Sequence, residues 1–352
     1  MSKSRRYAII GLSALLLVVL IFWYFSRTPS VSVPPAIAHG YSKALKQAHN
    51  GEPGAARVLY QQLGRPDLSD VRRAALHGEL PNYPSPQALK LADKDLSHPS
   101  PRVRQAAIAS IVGLVPSGQR TLLLGPLLDD DEQSVRFAAA NALLGLSPDT
   151  LGLYFGPLQL VLDEYAKYLK AQPESPEGWI QLARLYIHSA LLPEAQHALE
   201  QALRLDPENL PAVVARIELL DKQGKVDDSR QVLATQLQAH PESAYLQHAL
   251  GMWLLHHGER EYALLGLSKA VELEPDNQDY RYDLATTLHD QEELEAAQRQ
   301  LEEIVQRHPA NRKARVLLIN YWKESGQLQN VQVLLAQLEQ QNPDDPALQQ
   351  GL

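Results

Sequence analysis

The side chains able to do chemistry here are histidines and carboxylates, and their spacing decides what they could do. The chain has no cysteine, which excludes disulfides, thiolate nucleophiles, cysteine zinc sites and thioether-linked haem. Of 12 histidines, His256 and His257 form the one adjacent pair. Neighbours on a helix diverge by about 100°, so the pair is poorly placed to chelate one metal. His240 and His308 each precede a proline at the end of a helical pattern, where partial positive charge suits the helix dipole. Asp129-Asp130-Asp131-Glu132 groups four carboxylates, but it lacks the spaced ligands and the glycine of a calcium loop. A turn with helix-capping aspartate is the expectation. Glu302-Glu303 reads as a solvated helix face. No glycine-rich phosphate loop, metalloprotease HExxH, nucleophile-elbow G-x-S-x-G or haem-attachment motif occurs. No catalysis, cofactor or metal is therefore expected.

The rest of the sequence describes what holds these residues. Of 352 residues, 45% are hydrophobic and only 6% aromatic, a composition that favours stacked helices over sheets. The net charge of −8 repels a phosphate backbone, so nucleic acid is not an expected partner. Tyr7 to Phe25 is an uncharged apolar run of 19 residues, about 28 Å as a helix and enough to cross a bilayer. Lys3, Arg5 and Arg6 precede it, while only Arg27 and Lys43 follow closely. The positive-inside rule then places residues 1–25 as a cytoplasmic N-terminus and inner-membrane helix, with the remainder periplasmic. Ala36-Ile37-Ala38 has the form of a signal-peptidase site, but it lies 13 residues beyond Phe25 and behind Pro34-Pro35, so an uncleaved anchor is expected. Residues 26–38, rich in Pro and Ser, read as an extended tether.

Two internal periods follow. Val71-Arg72-Arg73-Ala74-Ala75-Leu76 recurs at Val103-Arg104-Gln105-Ala106-Ala107-Ile108 and at Val135-Arg136-Phe137-Ala138-Ala139-Ala140, both intervals being 32 residues. A breaker precedes each copy. The pattern predicts stacked helical hairpins over residues 39–150, with the Val and the alanines buried and the following Arg bonding an Asp or carbonyls of the preceding turn. It resembles HEAT repeats. Downstream, Pro173, Pro207, Pro241, Pro275, Pro309 and Pro343 are each 34 residues apart, each stopping a helix. Trp179, Leu182, Ala183 and Tyr186, then Leu250, Gly251 and Leu254, then Leu284, Ala285 and Leu288 repeat as apolar anchors. The small residue at the eighth position (Ala183, Gly251, Ala285) is expected where paired helices touch. This resembles the tetratricopeptide (TPR) pattern, in five units over 176–345. The second unit is degenerate, with Arg216, Ile217 and Ser229 at the usual positions of Leu, a small residue and Ala. Residues 151–175 read as a connecting helix and 346–352 as a short tail. The expected fold class is all-α: a transmembrane helix, then an α-solenoid in which each repeat buries its apolar face only on its neighbours.

In a TPR array, positions 2, 5, 9 and 12 of each first helix face the concave side. From these the candidate partner groove contains Arg184, Glu218, Tyr245, His248, Met252, Tyr282, Thr286 and Asn320, a mixed aromatic and polar lining. The order of parts also resembles the C-terminal half of bacterial periplasmic multihaem cytochromes that carry HEAT and then TPR repeats. GYSKALKQAHNGEPGAARVLYQQL (Gly40 to Leu63), LLDDDEQSVRFAAANALLGL (Leu127 to Leu146), LDEYAKYLKAQPESPEGWIQLARLY (Leu162 to Tyr186) and YRYDLATTLHDQEELEAA (Tyr280 to Ala297) carry that resemblance. It implies a periplasmic setting and partnership with redox proteins, cytochromes or their maturation factors. The haem domain has no counterpart, and a membrane anchor stands in its place, so electron transfer is not carried over. The expected function is a membrane-anchored protein–protein interaction scaffold or assembly factor. The alternative is an anchored adaptor facing the cytoplasm with an unrelated client.

Overall fold

The computed structural model describes residues 35–349; the expected membrane segment Tyr7–Phe25 lies outside them. Among the described residues all regular structure is helical, and no helix is long and apolar enough to cross a membrane. Lys43–Leu352 forms one compact unit, distinct from Met1–Ser42. The first helix, α1 (Pro35–His49), begins inside the stretch read as tether; proline is tolerated in a helix's first turn, where its missing N–H is not needed.

The N-terminal repeats follow as α2 (Ala55–Leu63), α3 (Asp70–Glu79), α4 (Pro86–Asp95), α5 (Pro101–Leu114), α6 (Ser117–Leu124) and α7 (Gln133–Leu143). Helices α3, α5 and α7 are the 32-residue echoes and pack in series, α3 on α5 and α5 on α7. Val103 and Val135 are fully buried, as the pattern predicts, but Val71 is 57% exposed. The cause is an arginine one place later. Arg73, not Arg72, turns inward: it donates to the Leu63 carbonyl at 2.8 Å and to that of Arg65, and pairs with Asp95 at 2.9 Å. That pair fixes the rotation of α3, so Leu76 and His77 face the core instead. Arg104 and Arg136 repeat the device in the expected register. Arg104 binds the carbonyls of His98 and Pro99 and the carboxylate of Asp130; Arg136 binds those of Asp130 and Asp131 and the carboxylate of Glu164.

After the short α8 (Pro148–Leu151), α9 (Phe155–Lys170) joins the two sets. Its Leu158, Val161, Leu162 and Leu169 belong to a single core running from Ala92 to Leu219, and its Tyr165 stacks on Phe137 with ring centroids 4.2 Å apart. Five helical pairs follow: α10 (Pro176–His188) with α11 (Leu192–Leu205), α12 (Leu210–Lys222) with α13 (Val226–Ala239), α14 (Ala244–His256) with α15 (Arg260–Leu273), α16 (Gln278–Asp290) with α17 (Leu294–Arg307), and α18 (Arg312–Glu324) with α19 (Leu328–Gln341).

Three devices recur every 34 residues. Ser175, Asn209, Ser243, Asn277 and Asn311 cap the first helices, each side chain accepting a backbone N–H from the first turn. A residue with positive φ turns each pair: Ala190, Gly224, Gly258, Glu292 and Gly326. At the fourth position of the first helix a side chain donates to the turn-proline carbonyl six residues earlier. Trp179 reaches Pro173, Gln247 Pro241, Arg281 Pro275 and Arg315 Pro309. In the second unit that position is Val213, which has no donor. Where α14 and α15 cross, a Cβ on Gly251 would sit 2.6 Å from Leu267, so the small eighth-position residue does lie at helix contact.

The first and last repeats touch, so the strictly neighbour-to-neighbour stacking expected above is incomplete. Gly54 N–H donates to the Gln340 carbonyl at 2.7 Å, the Asn342 amide to Pro84 O at 2.7 Å, and the Gln341 amide to Gly51 O. Gly51 has φ +62°, and a Cβ there would lie 2.7 Å from the Pro309 backbone. Beyond the last pair, Asp345 is fully buried and pairs with Arg312 at 2.6 Å, leading into α20 (Pro346–Gln349).

Two stability outcomes are expected in urea denaturation. Ala190→Gly and Glu292→Gly each raise stability by about 0.5–1 kcal/mol, because the left-handed backbone that strains them suits glycine. Asp95→Ala lowers it by about 3–5 kcal/mol, leaving Arg73 buried without its anion. A lower midpoint in the glycine variants, or an unchanged one in Asp95→Ala, contradicts these assignments.

Candidate interaction groove

The first helices of successive pairs also touch one another, α10 on α12 and α12 on α14, so their outward positions form a continuous wall. Along it the eight groove candidates separate into two groups. Glu218, Tyr245, His248 and Met252 meet in one cavity of about 470 Å³ between α12 and α14. Val214, Ile217, Ala249 and Trp253 supply its apolar surface, and Lys222 and His256 also line it. Arg184, on α10, is exposed and acts electrostatically on Glu218 and Tyr245. Tyr282 and Asn320 lie elsewhere, in a cavity of about 480 Å³ whose opposite wall is Pro81, Asn82 and Gly113. There the chain's own N-terminal repeats face the groove. Lys313 covers the Tyr282 ring, its Nζ 3.7 Å from the centroid. Thr286 turns back on its own helix, donating to the Asp283 carbonyl at 3.0 Å.

The electrostatics of the α12–α14 cavity are specific. Glu218 opens to solvent in the groove, yet the desolvating walls raise its carboxyl pKa against the opposing pull of Arg184 and Lys222. The Tyr245 hydroxyl is likewise pushed up by desolvation and by Glu218. A carboxylate so placed gains from a cation brought into the cavity. His248 is held by Asp283 at 2.8 Å and stacks on Tyr280 at 4.6 Å; one unit on, His289 meets Glu324 at 2.6 Å and stacks on Tyr321 at 3.9 Å.

Sequence reasoning missed the polar cluster that forms the cavity floor. Asp221 accepts from Ser229 Oγ at 2.5 Å, from Trp253 Nε1 at 3.2 Å, and bonds His257 Nε2 at 3.0 Å. Burial alone would raise its pKa; the three hydrogen bonds outweigh it and hold the carboxyl below its ordinary value. The signal available was Ser229, which stands where this unit type places alanine. His257 thus has its partner in another unit, and His256 and His257 lie edge to face. In the N-terminal acidic run, Asp130 binds Arg104 and accepts the Glu132 N–H, as a turn would. Among the described residues no group of three His, Asp or Glu side chains is arranged to hold a metal.

Two models of the tetratricopeptide repeat match, over residues 192–252 and 265–334. The C-terminal part of the chain is built of tetratricopeptide repeats. Among curated proteins, human tetratricopeptide repeat protein 7A is 28% identical over 94 residues, 27% of this chain and 11% of that protein. The uncharacterized protein y4yS of Sinorhizobium fredii is 29% identical over 101 residues, 29% of this chain and 56% of that protein. The chain thus spans about a tenth of the first and just over half of the second. Similar solved structures include a thermophilic TPR protein of Thermus thermophilus (21% identity, 58% of this chain and 98% of that one, TM-score 0.41). YrrB, a TPR protein with an unusual peptide-binding site, is also similar (19%, 54% and 98%, TM-score 0.37). So is PilF of Pseudomonas aeruginosa (20%, 56% and 88%, TM-score 0.38). TPR proteins are in general scaffolds for protein–protein interaction.

Asp221→Asn is expected to lower stability by roughly 1–3 kcal/mol at pH 7. Because the folded pKa lies below the unfolded one, the carboxylate's contribution is complete above the ordinary carboxylate range and is lost as pH falls through the lowered value. The gap between wild type and variant, followed by urea denaturation against pH, therefore closes only in acid. A gap that widens in acid contradicts the network.

Proposed function

We propose that this chain is an interaction scaffold that receives a partner segment in the cavity between α12 and α14. The observation that carries the reading is the convergence there of an apolar wall with Glu218, a carboxylate whose desolvation is only partly offset. The segment that fits carries an aliphatic or aromatic anchor against Met252 and Tyr245, with a Lys or Arg beside it for Glu218. The face of α16 and α18 is walled by Pro81, Asn82 and Gly113, which leaves the α12–α14 cavity as the more accessible stretch.

The proposal extends to the setting. The apolar run Tyr7–Phe25 and the preceding basic residues support an inner-membrane anchor with the repeats on the periplasmic side. The 32-residue period supports a HEAT reading of the N-terminal repeats. The resemblance to multihaem cytochrome repeat regions supports clients among periplasmic cytochromes or their maturation factors.

A photo-crosslinking residue in place of Met252, in the full chain in cells, tests this against the same residue at Leu122, a surface position 78% exposed. The expected result is a discrete adduct at 252 and none at 122, its yield falling about tenfold or more in Glu218→Gln with Tyr245→Ala. Periplasmic redox or cytochrome-assembly proteins in the adduct support the wider reading; cytoplasmic proteins alone reverse the topology. Equal adducts at both positions remove the groove.

A further inference from the structure

A second cavity, of about 520 Å³, lies on the other side of the same repeats. It sits between α17, α18 and α19 and is closed at one end by the Gly51–Pro53 turn. Its wall is largely apolar, from Val305, Leu318, Val333, Leu334 and the Trp322 ring. Two polar atoms on this wall have no hydrogen-bond partner among the described residues: Arg315 Nε and Trp322 Nε1. Both are donors. Arg315 is 2% exposed and Trp322 9%.

Arg315 is the more telling. Its guanidinium donates to two neutral acceptors, the Gln341 side-chain oxygen and the Pro309 carbonyl. The acids nearby are engaged or outside: Asp345 holds Arg312 at 2.6 Å, and Glu302 is exposed where it lines the cavity. One repeat earlier, the equivalent Arg281 makes the same proline contact but has Glu303 and Asp276 close enough to stabilise its charge. A buried guanidinium without an anion costs several kcal/mol, and an orphaned indole N–H adds to it. At Arg315 the repeat keeps the cation, omits the anion, and leaves a hollow in its place.

We propose that this cavity binds an apolar monocarboxylate, its carboxylate on Arg315 Nε and Trp322 Nε1 and its hydrocarbon part against Val305, Val333 and Leu334. The volume is that of a small-ligand pocket. One buried cation and one neutral donor match a single negative charge better than a phosphate dianion, and the walls match an alkyl chain. The site is separate from the α12–α14 groove, so either assignment can fail without the other.

The test is titration of the full chain with sodium hexanoate, followed by tryptophan fluorescence, beside hexanol and hexylammonium as neutral and cationic counterparts. The expected result is a saturable change with hexanoate, at least about tenfold tighter than with either counterpart, and absent in Trp322→Phe. Arg315→Gln should weaken hexanoate by about tenfold or more. Should that variant lose the wild-type circular dichroism spectrum, Val333→Phe, at a wall position 56% exposed, fills the cavity without touching the buried cation and should weaken binding likewise. N-acetyl-leucine distinguishes the sources of the carboxylate: tighter binding than hexanoate assigns the site to the C-terminal residue of a polypeptide, weaker binding to a free acid. A non-saturable response, an equal response to all three six-carbon compounds, or unchanged affinity in the folded variants overturns the proposal.

Discussion

The carbonyl freed at each helix-stopping proline must find a donor, and the repeats are organised around supplying one. In four of the five C-terminal units the donor is the fourth side chain of the next helix, whether indole, amide or guanidinium. The N-terminal repeats solve the same problem with Arg73, Arg104 and Arg136, each reaching back to carbonyls of the preceding breaker and forward to a carboxylate of the following one. Such a bond joins successive layers as well as satisfying a buried acceptor, so it orients one repeat on the next. The exception is the second unit, where Val213 cannot donate. Beside it stand the Asp221–Ser229–Trp253–His257 cluster and the α12–α14 cavity. The departure from the repeat rule and the candidate groove coincide.

Contact between the first and last repeats sets the second constraint. Gly51, Gly54 and Pro84 meet Gln340, Gln341 and Asn342 through three hydrogen bonds, and the approach of Gly51 to Pro309 leaves no room for a Cβ. This contact places Pro81 and Asn82 opposite Tyr282 and Asn320, which divides the wall of first helices into a covered stretch and an open one. It also closes one end of the cavity that exposes Arg315.

Much of this was legible in the sequence for a definite reason: a fixed period states which residues are equivalent. The prolines at 34-residue intervals locate each turn, the small eighth residue locates each helix crossing, and Glu218, Tyr245, His248 and Met252 follow from position numbers alone. What was not legible depends on contacts between residues far apart in the chain. The rotation of α3, which exposes Val71, is decided by Asp95. The covering of Tyr282 and Asn320 depends on residues more than 200 positions away. The α1 start at Pro35 was hidden because a proline pair reads equally as an extended segment and as a helix start. The Asp221 cluster was hidden because a degenerate repeat looks like loss of pattern, whereas Ser229 gains a partner.

The contact between the first and last repeats decides which surfaces are free, so the distance between them is the measurement to make. The absence of cysteine lets spin labels be placed singly, at the exposed positions Glu52 and Gln337, and their separation read by double electron–electron resonance on the full chain. The structure predicts one short, narrow distance distribution. A broad distribution centred at long distance would mean the ends are apart, and would return the α16–α18 face to the open groove.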